Sequence, residues 1–237
     1  ETVAAIAALS RKLGKLPVVV NDGPGFLVNR VLMPYLNEAA AMLEQGAAID
    51  EIDQALLRFG MPMGAFILLD EIGIDIAHKV ADILHQGLGE RVKPSPVLAA
   101  LYKEGYYGRK NGKGFYQYEQ GKRKGPDASL YAKIRAREAP GSIRPEEIVD
   151  RTMLLMIKEA ALCLEEHIID RPDLLDAALI FGIGFPPFRG GLLRYADKLG
   201  IVTVLQRLES LSKKHGDRFT PPQSLREMAL SGKRFYL

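Results

Sequence analysis

The chain has 237 residues, 47% hydrophobic and 26% charged, with a formal net charge of +3. This is the composition of an ordinary globular protein with room for one large domain or two smaller ones, and the charge is too mild to argue for nucleic acid. A single cysteine, Cys163, excludes an intrachain disulfide framework and fits a reducing compartment, and no apolar run approaches the ~20 residues of a membrane helix.

The chain opens within a helical pattern and without an initiator Met, so it reads as a piece of a longer protein. Val3, Ile6, Ala7, Leu9 and Leu13 predict an amphipathic helix over 2–13, stopped by Gly14. Leu16-Pro17-Val18-Val19-Val20 predicts a short buried strand. A lone strand leaves its edges unpaired, so 1–20 is expected to be the tail of an α/β unit lying upstream. After Asn21-Asp22-Gly23-Pro24-Gly25 the pattern turns helical over 26–43, with Val28, Leu32, Tyr35, Leu36, Ala39 and Leu43 on the apolar positions. Asp50 is the expected N-cap of a helix over 51–59. One or two helices follow over 66–85 and a short one over 94–105. Residues 105–118 are rich in turn signals. Residues 119–141 combine Gly, Pro, Lys and Arg, including Gly121-Lys122-Arg123-Lys124, and read as a solvated linker with at most one exposed helix.

The helical pattern then returns. Arg30 to Glu44 reads RVLMPYLNEAAAMLE and Arg151 to Glu165 reads RTMLLMIKEAALCLE, an offset of 121 with Arg, Glu, Ala, Ala, Leu and Glu in register. Leu57-Arg58-Phe59-Gly60 is answered by Leu179-Ile180-Phe181-Gly182, and Leu68-Leu69 by Leu192-Leu193. A period this long is not that of a solenoid. It reads as one helical domain duplicated, and two linked copies with apolar surface to spare are expected to pack on each other as an intrachain pseudo-dimer, through their first helices.

The run Val18-Val19-Val20-Asn21-Asp22-Gly23-Pro24-Gly25-Phe26-Leu27-Val28-Asn29-Arg30, with Pro34-Tyr35-Leu36-Asn37-Glu38-Ala39, resembles the junction region of the 3-hydroxyacyl-CoA dehydrogenases. Gly60-Met61-Pro62-Met63-Gly64-Ala65-Phe66 and Gly108-Arg109-Lys110-Asn111-Gly112-Lys113-Gly114-Phe115-Tyr116 are similar to two further motifs of that family, in the same order. The second copy, with Phe181 to Gly191, resembles the last domain of the multifunctional fatty-oxidation α subunit, the bacterial anaerobic type most of all. The resemblance implies a mainly α fold: a remnant of the nucleotide-binding domain at 1–20, a first C-terminal domain at 21–118, a linker at 119–141 and a second C-terminal domain at 142–237. It implies NAD-dependent oxidation of a 3-hydroxyacyl-CoA to the 3-ketoacyl-CoA in β-oxidation. The partners it implies are upstream nucleotide-binding and hydratase domains of the same chain and a thiolase β subunit, in the cytoplasm. Two rivals stand beside it. One is a non-catalytic module that docks a thiolase; the other is a 3-hydroxybutyryl-CoA dehydrogenase, against which the duplication argues.

No Gly-x-Gly-x-x-Gly follows a strand here, and His78, His85, His167 and His215 match no catalytic motif of the family, so no catalytic residue and no metal site is expected in this chain and NAD is expected to bind mainly upstream. The family match places Asn29 beside the substrate, where an amide can both donate and accept without adding charge; on spacing alone it is an asparagine satisfying a helix start. Asp150 holds its register in the second copy, so that site is not duplicated. Phe181 aligns with a substrate-side position and offers apolar contact only. Lys110, in a glycine-rich basic loop, aligns with a lysine near the dinucleotide, against the plain alternative of a basic turn. Pro34, answered by Leu155, is expected to bend its helix near the active cleft.

Overall fold

The computed structural model describes residues 1–134 and 143–236. The chain folds into α1 (Thr2–Lys12), α2 (Val28–Glu44), α3 (Ile49–Phe59), α4 (Ala65–Ile72), α5 (Ile74–Leu88) and α6 (Pro96–Lys103), then a hairpin of β1 (Tyr116–Glu119) and β2 (Lys122–Pro126) and the short α7 (Leu130–Lys133). The second half is α8 (Pro145–Glu165), α9 (Pro172–Ile183), α10 (Leu192–Leu199), α11 (Ile201–His215) and α12 (Gln223–Ser231). Most surface helices have one apolar stripe, but α2 and α8 bury residues nearly all round: Val31, Leu32, Tyr35, Leu36, Ala39 and Met42 on one, Met153, Leu154, Met156, Ile157 and Ala160 on the other. A helix apolar on every side must be covered on every side. Each of the two packs on its own bundle and on the other, and they form the seam of the molecule.

The duplication is visible element by element. Ala65–Ile72 and Ile74–Leu88 are answered by Leu192–Leu199 and Ile201–His215 with identical lengths and a shared offset of 127. Buried carboxylates mark the equivalence. Asp53 accepts from the backbone N–H of Phe66 (2.9 Å) and Ile67 (3.2 Å) and from the Tyr116 hydroxyl (2.9 Å). Asp176 accepts from Leu193 (2.8 Å), Arg194 (3.2 Å) and the Tyr236 hydroxyl (2.7 Å). Each carboxylate thereby caps the start of the following helix, α4 or α10. It sits so close to the backbone that a Cβ on Gly64 or Gly191 would lie 2.1 or 2.2 Å from the carboxyl carbon. In the same way Asp70 binds the N–H groups of Phe115 and Tyr116, and Asp197 those of Phe235 and Tyr236, which closes each bundle with an aromatic pair.

These anchors correct the finer register read from sequence. With Asp53 opposite Asp176, Phe181 answers Arg58, not Phe59, and Gly184, the left-handed end of α9, answers Gly60. Likewise Phe66 answers Leu193, so Leu68-Leu69 does not pair with Leu192-Leu193. Insertions in the loop before α9, within α9 and in the loop after it shifted the visible letters.

The seam is reciprocal. Arg30 Nε lies 2.7 Å from Glu159, and Arg151 Nε lies 2.7 Å from Glu38. Arg30 also reaches Glu166 (2.6 Å), and Arg151 reaches Gln45 (2.9 Å). Arg91 joins the first set through Glu159 (3.7 Å) and Glu166 (2.6 Å), and Arg218 joins the second through Glu38 (2.7 Å). In each case residue and partner exchange places between copies, which is the signature of a two-fold interface. The crossed pairing also makes α2 and α8 antiparallel. Pro34 and Leu155, equivalent positions, line one groove at this seam. Pro34 therefore lies at the pseudo-dyad, and α2 runs on through it.

Several expectations change. Residues 16–20 are extended, with Val18 and Val20 packed inward and Val19 56% exposed, but no strand pairs with them among the described residues. A strand needs a neighbour for its hydrogen bonds, so the segment is extended without being the buried strand expected. Asp50 lies inside the first turn of α3, whose N-cap is Ala48. The linker assigned to 119–141 opens with the hairpin, and the helix after it is not an exposed one, because Leu130 is fully buried. Residues 135–141 of that linker, and residues 142 and 237 of the second domain, lie outside the described residues.

Burial raises the carboxyls of Asp53 and Asp70 from the ordinary 3.8 to about 6, against the pull of their N–H and hydroxyl donors. The folded chain then holds protons there that the unfolded chain has already released. The associated stability is full below 3.8 and is lost as pH rises through about 6. Carboxyl-carbon NMR should give midpoints near 6 for these two residues; midpoints at the ordinary value would show that the hydrogen bonds win over burial.

Candidate functional site

The turn before α2 builds the most distinctive cleft. Gly25 takes a left-handed φ of +72°, and a Cβ there would lie 2.5 Å from Leu84. Phe26 follows with φ +52°, a conformation uncommon for a bulky residue, and its N–H donates to the Gly23 carbonyl (2.9 Å). Leu27 turns inward and is buried, while the Phe26 ring stays 58% exposed. Strain of this kind costs about 1–3 kcal/mol and persists where the surroundings enforce it. Here the Leu84 side chain and the buried Leu27 do so.

Val18, Val20, Phe26, Val28, Asn29 and Ala178 line an open cleft of about 390 Å³. Asn29 is exposed in the first turn of α2, with its amide available to the cleft. Ala178 comes from α9, so the second copy supplies one wall. Phe181 stands one helical turn beyond Ala178, 73% exposed, and Gly182 beside it would place a Cβ 3.3 Å from Val28. The structure thus gathers Asn29 and the turn that carries Phe181 around one cleft. Phe26 and Ala178 were not singled out from sequence. Phe26 had a signal, a large apolar residue straight after Gly-Pro-Gly; Ala178 had none, because only the fold brings α9 there.

Lys110 is elsewhere. Its Nζ is ion-paired with Asp75 at the start of α5 and lies over the Tyr107 ring at 5.7 Å. The opposite end of α5 holds the turn, through Leu84 against Gly25 and Gly87 against Pro24. From Asp75 to Gly87 the helix rise amounts to roughly 18 Å. Lys110 and the turn before Asn29 are thus held against opposite ends of α5. The basic loop is also unique to the first copy: after α12 the chain runs from Gly232 through Lys233 and Arg234 straight to Phe235. The second copy has its own elaboration, the loop of Phe188 and Arg189. Arg189 donates to the Phe59 carbonyl at 3.0 and 2.7 Å and stacks on the Phe59 ring at 3.8 Å, clipping the copies together.

Asp150, in the register of Asn29, is paired with Arg207 at 2.8 Å, and burial holds its carboxyl above the ordinary range. A neutral exposed amide is thus answered by a charged, engaged residue. The histidines are engaged away from the cleft: His78 stacks on Tyr102 (5.0 Å), His85 meets the Gly89 carbonyl (3.0 Å), and His167 pairs with Asp170 (2.9 Å). His215 lies 3.5 Å from Glu147, its pKa lowered by burial first and by Arg151 next. Cys163 is fully buried, with its thiol pushed up to about 12 by burial, and is inert packing. Among the described residues no group of three or more His, Cys, Asp or Glu could hold a metal, and no helix is long and apolar enough to cross a membrane.

The chain is a duplicated helical bundle with a cleft to which both copies contribute. The profile of the 3-hydroxyacyl-CoA dehydrogenase C-terminal domain matches residues 25–118 and again 148–234, and the chain belongs to that family. It is 47% identical over its full length to the fatty acid oxidation complex subunit alpha of Shewanella amazonensis and 45% identical to that of Idiomarina loihiensis. It spans about a third of the length of those relatives, 34% and 33%. The crystal structure of 3-hydroxybutyryl-CoA dehydrogenase from Escherichia coli K12 superposes with a TM-score of 0.78 at 25% identity, over 97% of this chain and 65% of that one. The dehydrogenase part of multifunctional enzyme 1 from Caenorhabditis elegans gives 0.67 at 26% identity, over 96% and 53%. A protein named for 3-hydroxybutyryl-CoA is therefore matched along nearly the whole repeat, and duplication does not separate that activity from the others as the sequence argument supposed.

The burial of the two phenylalanines has a direct check. Phe181→Ala should change stability by less than ~0.5 kcal/mol, because the ring is exposed. Phe59→Ala, its partner by eye but buried under Arg189, should cost about 3–5 kcal/mol in urea unfolding. Equal costs would contradict the difference in burial between the two rings.

Proposed function

We propose that this chain is the helical, substrate-side part of an NAD-dependent 3-hydroxyacyl-CoA dehydrogenase of fatty-acid β-oxidation, in a multifunctional α subunit. The observation that carries the reading is Asn29, exposed in a cleft walled by both copies and entered by the 16–20 segment, in a chain 47% identical to such subunits. Upstream nucleotide-binding and hydratase domains complete it. A thiolase subunit is the expected partner, since the relatives are named for a complex. The cytoplasm suits the single buried thiol.

The residues here do not by themselves fit a dinucleotide. The one candidate contact, Lys110, is neutralised by Asp75, and no glycine fingerprint precedes a helix N-terminus. NAD, which accepts the hydride when bound, belongs mainly to the upstream domain, with Lys110 at most adding charge at its rim. The role left to this chain is orientation. Asn29 offers a neutral donor and acceptor to the 3-oxygen or thioester carbonyl, and Phe26, Val28 and Phe181 give apolar contact to the acyl or pantetheine chain. A short-chain preference, as in the E. coli 3-hydroxybutyryl-CoA enzyme, is the second reading, supported by the match over 97% of the chain. Turnover of C4 against C16 substrates separates the two.

In the full-length protein, Asn29→Ala should lower turnover by ~10²–10³ with little change in NADH affinity, since a preorganised donor is lost while the cofactor's main site is untouched. Lys110→Ala should do the reverse, a modest, salt-dependent loss of NADH affinity. If steady-state kinetics show Asn29→Ala raising only the NADH constant, the residue serves the other ligand. If neither constant moves, Asn29 merely satisfies a helix start.

A further inference from the structure

The chain changes from packed to unpacked within a few residues. Residues Thr2–Lys12 bury no side chain, whereas Val18 and Val20 pack on the core and Leu27 is buried. Between them lies Asn21, and its two anchors are both on the second copy. Its backbone N–H donates to the Ile168 carbonyl (2.9 Å), and its side-chain Nδ2 donates to the His167 carbonyl (2.6 Å). A Cβ on Gly23 would lie 2.8 Å from Ile168 Cδ1, so the backbone is seated against that side chain too.

The receiving turn is itself held open for this. His167 takes φ +55°, uncommon for a residue with a side chain, and its ring is tied to Asp170. Ile168 and Ile169 are buried behind it. That turn follows α8, and α8 is fixed by the reciprocal ion pairs of the seam. On the other side Pro24 and Gly25 sit against Gly87 and Leu84 of the first copy. The junction is therefore gripped by both copies, and among the described residues the hydrogen bonds that Asn21 makes both go to the second.

We propose that the His167–Ile168 turn of the second copy is a positioning latch for the junction: through Asn21 it sets the direction in which everything before Val20 leaves the helical body. Asn21 is a positioning residue. It does not touch the cleft, but Val18 and Val20, the residues it steadies, line the cleft opposite Asn29 and Ala178. Under the dehydrogenase reading, on which this consequence rests, the latch sets how an upstream nucleotide-binding domain faces Asn29. The duplicated domain then has a use in the reaction beyond covering the first copy's apolar surface.

Asn21 is exposed, so its removal leaves the core intact and Tm is expected to stay. Two variants separate hydrogen bonding from shape. Asn21→Ala removes the side-chain donor, and Asn21→Asp keeps the shape but offers an acceptor to an acceptor. Spin labels on Leu16→Cys and Leu230→Cys, both at exposed positions with the native Cys163 fully buried, report the junction's direction in the 237-residue chain. The distance distribution should be narrow in the parent and broaden in both variants. A distribution unchanged in both, or broadened by Ala and restored by Asp, overturns the latch. In the full-length protein, loss of about one hydrogen bond's worth of order should lower kcat by about three- to tenfold with NADH affinity retained. If distances broaden and turnover does not move, the latch stands and the dehydrogenase reading of the cleft fails.

Discussion

Everything in this chain hangs on four charged side chains taken out of water. Arg30 and Glu38 lie on one face of α2, and Arg151 and Glu159 on one face of α8. With the helices antiparallel, each arginine meets the other helix's glutamate, and all four are nearly inaccessible. Desolvating such groups costs several kcal/mol each, so the pairs contribute little net stability compared with well-packed apolar residues. What they do is forbid alternatives. A slip of α8 along α2 strands four buried charges at once, whereas the Leu, Met and Ala around them would tolerate several registers. The ion pairs therefore fix the register and the apolar residues supply the driving force.

The functional geometry follows from that register. Ala178 and the His167–Ile168 turn belong to the second copy, yet they form a wall of the first copy's cleft and the seat of its junction. Where the copies remain alike, they carry structure: the aspartates that cap helices and bind the closing aromatic pairs. Where they differ, they carry candidates for function. Asn29 is exposed and neutral but Asp150 is paired, the Lys110 loop has no counterpart, and the Phe188–Arg189 loop occurs only in the second copy, as a clip.

Much of this was legible in the sequence for a physical reason. Helix faces repeat with a fixed period, so the two long helices, their duplication and their mutual packing could be read from Arg, Glu and Leu at constant spacing. Asn29 could be picked out only through family resemblance, since an asparagine near a helix start has a local explanation. What was not legible depends on chain brought together from afar. The buried strand read at 16–20 is extended but half exposed, because a strand needs a partner that no local pattern supplies. The second strand of the hairpin, Lys122–Pro126, looked like linker because its residues are Lys, Arg, Gly and Pro; the hairpin is held by Tyr116 and Tyr118 of the first strand reaching back to buried aspartates. The register of Phe181 failed because the insertion in the loop before α9 and the one inside α9 are invisible to letter matching.

The central claim is that the two copies are one cooperative body joined by the reciprocal pairs. Native-state hydrogen exchange on the 237-residue chain tests it most directly, comparing the parent with Arg151→Leu. The account predicts that amides in the middle of α2 and α8 open with a common free energy in the parent, and that the substitution, made on α8, lowers both by the same amount. Loss of protection in α8 with α2 unchanged would contradict it, and would make the chain two domains that merely touch.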